Sequence, residues 1–227
     1  MIKKTLIIVT VIFLLLDCSN IFASENVIID TNFKKNLLTF ISKVNLNKAF
    51  TIANKIAKEM KADAVLGRIE IYGRGFKGKG NSIVFQYNSN QIPFYFKLFS
   101  KTVANIDIEI DLDNYSIGLK ELYYSGINGS IEPLSKKITK ISNGIDIINK
   151  VLNDSGLSLF INKYKDIVYI IKIDNFRAST AWDINFYTNY YNINSKQNYY
   201  LIINDDTGKI LTRWCTDSKI RDIVGIK

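Results

Sequence analysis

The chain has 227 residues, with 30 Lys+Arg against 21 Asp+Glu, a formal net charge of +9, no His, two Cys and two Pro. Without histidine, Ser-His, Cys-His and His-ligated metal mechanisms are excluded. Two cysteines far apart can form neither a thiolate metal cage nor a disulfide scaffold, and 47% hydrophobic against 22% charged residues reads as globular.

Met1-Ile2-Lys3-Lys4 is a short basic start, and Leu6 to Leu16 is an uncharged apolar run broken by Asp17. Ile21-Phe22-Ala23-Ser24 then offers small residues for cleavage. This layout is that of a bacterial secretory signal, and the run is shorter than the ~20 apolar residues a spanning helix needs. Cleavage after Ala23 is expected, giving a signal peptide over 1–23 and a lead-in over 24–44. The protein is then exported, whether periplasmic, secreted or on the outer surface. Leu15-Leu16-Asp17-Cys18 resembles a lipobox, so Cys18 is a candidate lipid anchor, although Asp17 stands where a small residue is usual. Membrane association is expected only through export or that anchor. Processing after Ala23 removes Lys3, Lys4, Asp17 and Cys18, lowers the formal charge to +8 and leaves Cys215 as a single thiol. Export and the scattered lysines argue against nucleic acid as a partner.

Leu46, Ala49, Phe50, Ala53, Ile56, Ala57 and Met60 recur at helical spacing, with Asn45 placed to cap the start. Strand character follows over Ala64–Tyr72, Ser82–Tyr87, Phe94–Phe99 and Val103–Leu112. Between the first two lies Gly73-Arg74-Gly75-Phe76-Lys77-Gly78-Lys79-Gly80. Its G-x-G-x-x-G could bring backbone N–H groups with Arg74, Lys77 and Lys79 to an anion or a surface. A dinucleotide fingerprint needs a helix after the glycines, and a strand follows here; no kinase-type catalytic loop appears later. The segment reads as a basic hairpin tip.

Ile106 to Asp113 alternates strictly, which places Ile106, Ile108, Ile110 and Leu112 on one face and Asp107, Glu109, Asp111 and Asp113 on the other. Calcium would suit such a row, but the EF-hand pattern fails, with no glycine at the sixth position and Glu121 one place late. A solvated strand face beside a lysine-bearing neighbour is the simpler expectation. No pair of acids is placed in a cleft by the pattern, as a glycosidase requires. No S-x-x-K stands in an apolar helix-start context, and Ser135-Lys136-Lys137 reads as linker or helix entry. No catalytic residue, metal site or cofactor is therefore assigned.

The second half repeats the order. Ile141, Ile145, Ile148 and Leu152 mark a helix, with Ser142 a candidate cap and Gly156 a candidate stop. Strand character covers Ile167–Ile173, Ala181–Tyr187 and Tyr199–Asn204; Asp205 to Gly208 is a turn, and Lys209–Trp214 is a terminal strand. Tyr187, Tyr190, Tyr191, Tyr199, Tyr200 and Trp182 crowd this region, and outward-facing members would make a protein-contact face. Ile110 to Ile117 lies over Ile203 to Ile210 in pattern. The expected fold class is α+β in two repeated units, each an amphipathic helix packed on an antiparallel β-sheet: 45–122 and 139–227, joined by a linker over 123–138.

Tyr200-Leu201-Ile202-Ile203-Asn204-Asp205-Asp206-Thr207-Gly208-Lys209-Ile210-Leu211 is similar to the closing strand-turn-strand of the PepSY domain family, a small module of peptidase propeptides and exported bacterial proteins. The helix around Ile141–Asn153 and the strand Trp182–Tyr187 resemble it too, as does Lys48-Ala49-Phe50-Thr51-Ile52-Ala53 in the first half. The first closing turn departs from the pattern, with Asn114-Tyr115 in place of Thr-Gly. The resemblance implies a helix on an antiparallel sheet and a non-enzymatic binding role in the envelope, with a peptidase among the candidate protein partners. A surface lipoprotein held through Cys18 and a carrier of a small apolar ligand are the alternative expectations.

Overall fold

In a computed structural model the described residues are 37, 45–73, 81–93, 103–114, 116–124, 138, 141–142, 144–164, 167–177, 179–188 and 197–226. The elements are α1 (Leu46–Met60), β1 (Val65–Tyr72), β2 (Ser82–Ser89), β3 (Val103–Asp111), β4 (Ser116–Tyr124), α2 (Gly144–Leu152), α3 (Ser155–Lys163), β5 (Ile167–Phe176), β6 (Ser179–Thr188), β7 (Asn198–Asn204), β8 (Ile210–Cys215) and α4 (Ser218–Val224). Among the described residues no helix is long and apolar enough to cross a membrane.

α1 forms where the periodicity places it. Asn45 accepts the Lys48 N–H at 2.9 Å, which satisfies one of the free amides of the first turn. Ala53 and Ala57 are fully buried, and their small side chains let the helix lie close over β2 and β3. At the far end the chain turns extended at Lys61.

The strands form one eight-stranded antiparallel sheet in the order β4-β3-β2-β1-β5-β6-β7-β8. Two four-stranded meanders meet edge to edge where Ile69 pairs with Ile173 and Ile71 with Ile171. This overturns the expectation of two repeated helix-on-sheet units. The edge of β1 that would have been free in a separate unit is taken by β5, so both halves share one ladder and one core. Among the complete helices described, α1 lies over the first meander, and α2, α3 and α4 belong to the second half. A strand at each free edge would have had to be shielded in two separate units; merging the sheets removes one edge from each.

Four further differences have local causes. Gly156 does not stop a helix; it lies in the first turn of α3, which Asp154 caps through the Leu157 N–H at 3.0 Å. Ser142 is bound into the 205 turn, its hydroxyl donating to the Asp205 carbonyl at 2.8 Å. β8 is not the end of the fold, because Asp217 caps α4 after it. β4 runs to Tyr124, into the stretch expected as linker. The expected strand over 94–99 lies outside the described residues.

The described helices pack on one face of the sheet. Ile69, Ile71, Phe85, Ile106, Ile108, Ile171, Trp182, Ile184 and Leu201 line that face and join the buried faces of α1, α2 and α3 in one cluster. Trp182, Tyr87, Tyr199, Phe85, Phe160 and Phe186 are the largest of the fully buried side chains between the layers. β1 changes phase on the way. A bulge between Leu66 and Arg68, at Gly67, sends Leu66 inward and Arg68 to the opposite face, although simple alternation puts them together.

Candidate binding face

Two of the sequence candidates, Tyr187 and Tyr200, lie on the face of the sheet opposite the described helices, and the same face carries a set of paired charges. Pairing across β1, β5 and β6 sets Arg68, Glu70 and Tyr72 beside Ile170, Lys172 and Asp174, with Asp183, Asn185 and Tyr187 in the next strand. Glu70 is buried, and the Tyr72 hydroxyl donates to its Oε2. Arg68 and Lys172 stand 3.9 and 3.8 Å from its Oε1. Arg68 also holds Asp174, with Nε and Nη2 both 3.1 Å from Oδ2. A buried carboxylate survives only with such company. Burial pushes the Tyr72 hydroxyl well above its ordinary value, and the bond to Glu70 pushes it further.

Asp183 lies next in the row, opposite Lys172. Burial raises its pKa above the usual carboxylate range; Lys172, the Asn185 amide at 2.5 Å and Arg68 oppose that rise, and Asp174 adds to it. Beside the charges Tyr72, Val84 and Ile170 form a small apolar cluster, with Val168 and Tyr187 packed against it. Toward β8, Tyr200 and Trp214 pair with ring centroids 6.1 Å apart, and Trp214 is 36% exposed.

The tyrosine and tryptophan set from the sequence divides by strand alternation. Tyr187 and Tyr200 are on the outer face. Trp182 and Tyr199 point the other way and are fully buried, so they are not available for contact. Both are anchored: Trp182 Nε1 donates to Asp205 Oδ1 at 2.6 Å, and the Tyr199 hydroxyl to Asp154 Oδ1 at 2.5 Å. Tyr190 and Tyr191 lie outside the described residues, as do Arg74, Lys77, Lys79 and Cys18.

The acidic strand splits in the same way. Ile106, Ile108 and Ile110 are buried toward the helices, and Asp107 sits opposite Lys120 of β4. Asp111 and Asp113 serve the turns instead. Asp111 Oδ1 accepts the N–H groups of Asp113 and Asn114 at 2.9 Å each, and Asp113 binds Asn81 through both carboxylate oxygens at 2.8 and 2.9 Å. Among the described residues no group of three or more His, Cys, Asp or Glu is arranged to hold a metal ion.

The Arg68, Glu70, Lys172, Asp174 and Asp183 network was missed by sequence reading. Its signal was the polar alternation within apolar strands: Arg68 and Glu70 in β1, Lys172 and Asp174 in β5, Asp183 and Asn185 in β6. Chemically the network is a set of mutually compensating charges beside an aromatic strip. Comparisons with protein-family models, curated proteins and solved structures gave no match.

Proposed function

We propose that this is an exported, non-enzymatic binding protein of the bacterial envelope, which meets a protein partner through the outer face of β6, β7 and β8. The observation that carries the reading is the Tyr200–Trp214 pair on the face opposite the described helices, with Trp214 36% exposed. Aromatic side chains that keep contact area at a sheet surface are frequent anchors of protein interfaces. The export reading rests on the basic start, the apolar run and Ala23. The similarity of the β7–β8 segment to the PepSY pattern supports a peptidase as the partner and inhibition or regulation as the consequence.

A photoreactive residue placed at 214 in the exported protein, activated in the producing cells, should transfer to one dominant envelope protein. Y200A and W214A should lose that product while keeping the fold. If the captured protein is a peptidase, adding the purified chain should slow it. Labelling that is unchanged by Y200A sinks the reading. Mass spectrometry of the natural N-terminus distinguishes release from anchoring: a start at Ser24 supports a free protein, and a diacylated Cys18 supports a lipoprotein.

A further inference from the structure

The two edges of the sheet are built differently. β8 is six residues long, its register with β7 shifts between Ile202 and Ile203, and α4 packs on it. Shortness, irregularity and cover are devices that keep an edge from pairing. Among the described residues β4 shows none of them along its first half. It is nine residues long and pairs with β3 from Ser116 to Tyr124 without a register shift. Ser116, Gly118, Leu119 and Lys120 are exposed, Leu119 at 46%. Lys120 is the one charge in that stretch, and it contains no proline.

In the stretch 116–120, apolar Ile117 and Leu119 flank Gly118, with polar Ser116 and Lys120 outside them. Antiparallel pairing of two identical strands sets one residue opposite itself. Centred on Lys120 or Glu121, it brings like charges together, which is unfavourable. Centred on Leu119, it puts Ile117 against Glu121. Centred on Gly118, it puts Ile117 against Leu119 of the second copy, twice, and Ser116 against Lys120. Ile117 and Leu119 lie on the core face, beside Ile110 and Ile108, so both apolar pairs extend the existing core. The residue at the axis has no side chain, and a glycine inside a strand is where another backbone can approach closely.

We propose that the chain self-associates through β4, two copies pairing antiparallel about Gly118 to join their sheets edge to edge. The occupant of this edge is a second copy because its own sequence supplies matched pairs and no opposed charges. The contact is small beside a standard interface of about 1,600 Å², so the dimer is weak and concentration-dependent.

The test uses the protein recovered after export. In G118C the new Cβ meets only the Glu109 side chain at 3.7 Å and its carbonyl at 4.0 Å, ordinary contact distances, so folding is retained. Mild oxidation should trap G118C as a disulfide dimer several-fold more efficiently than S116C or L119C, with the unsubstituted chain as background. Sedimentation equilibrium should show a mass rising toward the dimer with concentration, and L119K should weaken this by about tenfold or more. A monomer at every concentration up to about 1 mM overturns the proposal. So does trapping of L119C at or above the yield of G118C, or capture of a different protein in place of the second copy.

Discussion

The Tyr199 hydroxyl donates to Asp154 Oδ1 at 2.5 Å and thereby fastens β7 to the start of α3. The same carboxylate caps α3 through the Leu157 N–H and receives Arg213 Nε of β8 at 2.7 Å, so one buried aspartate ties two strands and a helix. D154A should cost about 3 kcal/mol, combining a lost cap with a stranded tyrosine hydroxyl. Y199F should cost about 1 kcal/mol. Urea unfolding of both and of the double variant should give a coupling above about 0.5 kcal/mol; strict additivity would mean that the two do not act as a pair. G156A should destabilise as well, because the added methyl overlaps the Tyr199 ring and hydroxyl.

Tyr87 behaves oppositely. It is fully buried against the helical layer, and its hydroxyl has no hydrogen-bond partner among the described residues. Leaving a buried hydroxyl unbonded costs free energy that phenylalanine does not incur. Y87F should therefore raise stability by about 0.5–1 kcal/mol, read as a higher urea midpoint at unchanged slope. A loss of stability would show that the hydroxyl is satisfied.

Acid should loosen the C-terminal helix. Hydrogen bonding from Lys163, and then from Tyr164, holds the Asp217 carboxyl at about 2, below its ordinary 3.8. A carboxylate depressed in the folded state stabilises the fold above its unfolded pKa. That contribution is lost as pH falls from about 4 through about 2. D217A should lower stability at neutral pH by about 2 kcal/mol, through the lost cap and the stranded Tyr164 hydroxyl. It should also flatten the acid limb of the stability profile in that window. An unchanged acid limb would place the pH sensitivity elsewhere.

The two tryptophans should be distinguishable by light. Trp182 is fully buried and Trp214 is 36% exposed. W214F should leave a blue-shifted emission resistant to acrylamide, and W182F a red-shifted, readily quenched one. W182F should also cost about 2 kcal/mol, because Asp205 is buried and loses a donor to its carboxylate. Equal quenching of the two single-tryptophan variants would contradict the assignment of faces.

What the sequence disclosed was mostly local. The stripe from Leu46 to Met60 and the Asn45 cap gave α1, because periodicity and capping act within a few residues. The closing turns also match as aligned: Ile110 pairs with Ile117 and Ile203 with Ile210, and Asp111 and Asn204 each accept the N–H three residues on. Gly156 was misread because its neighbour in space, Tyr199, lies far along the chain and holds a glycine within a helix. α4 is seven residues long, too short for a periodic signal. The merging of the sheets rests on Ile69 finding Ile173, and the charge network of the outer face exists only once that pairing has formed. The polar alternation of each strand is visible within a sequence window, but which strands meet is not. Alternation did indicate that the aromatic set divides between faces, but the choice of Tyr200 outward and Tyr199 inward needed the register.

Among the described residues the joint between β1 and β5 has four register pairs, against five between β7 and β8 and ten between β5 and β6. The Tyr169 ring closes over its end at Gly73, so closely that a methyl group there would stand 2.7 Å from the ring. A tensile load drawn across the strands therefore meets its narrowest section in the middle of the molecule rather than at a rim. Rupture would begin along that line, parting Arg68 from Asp174 and opening the hydrophobic layer beneath, while the meander on either side stayed laced.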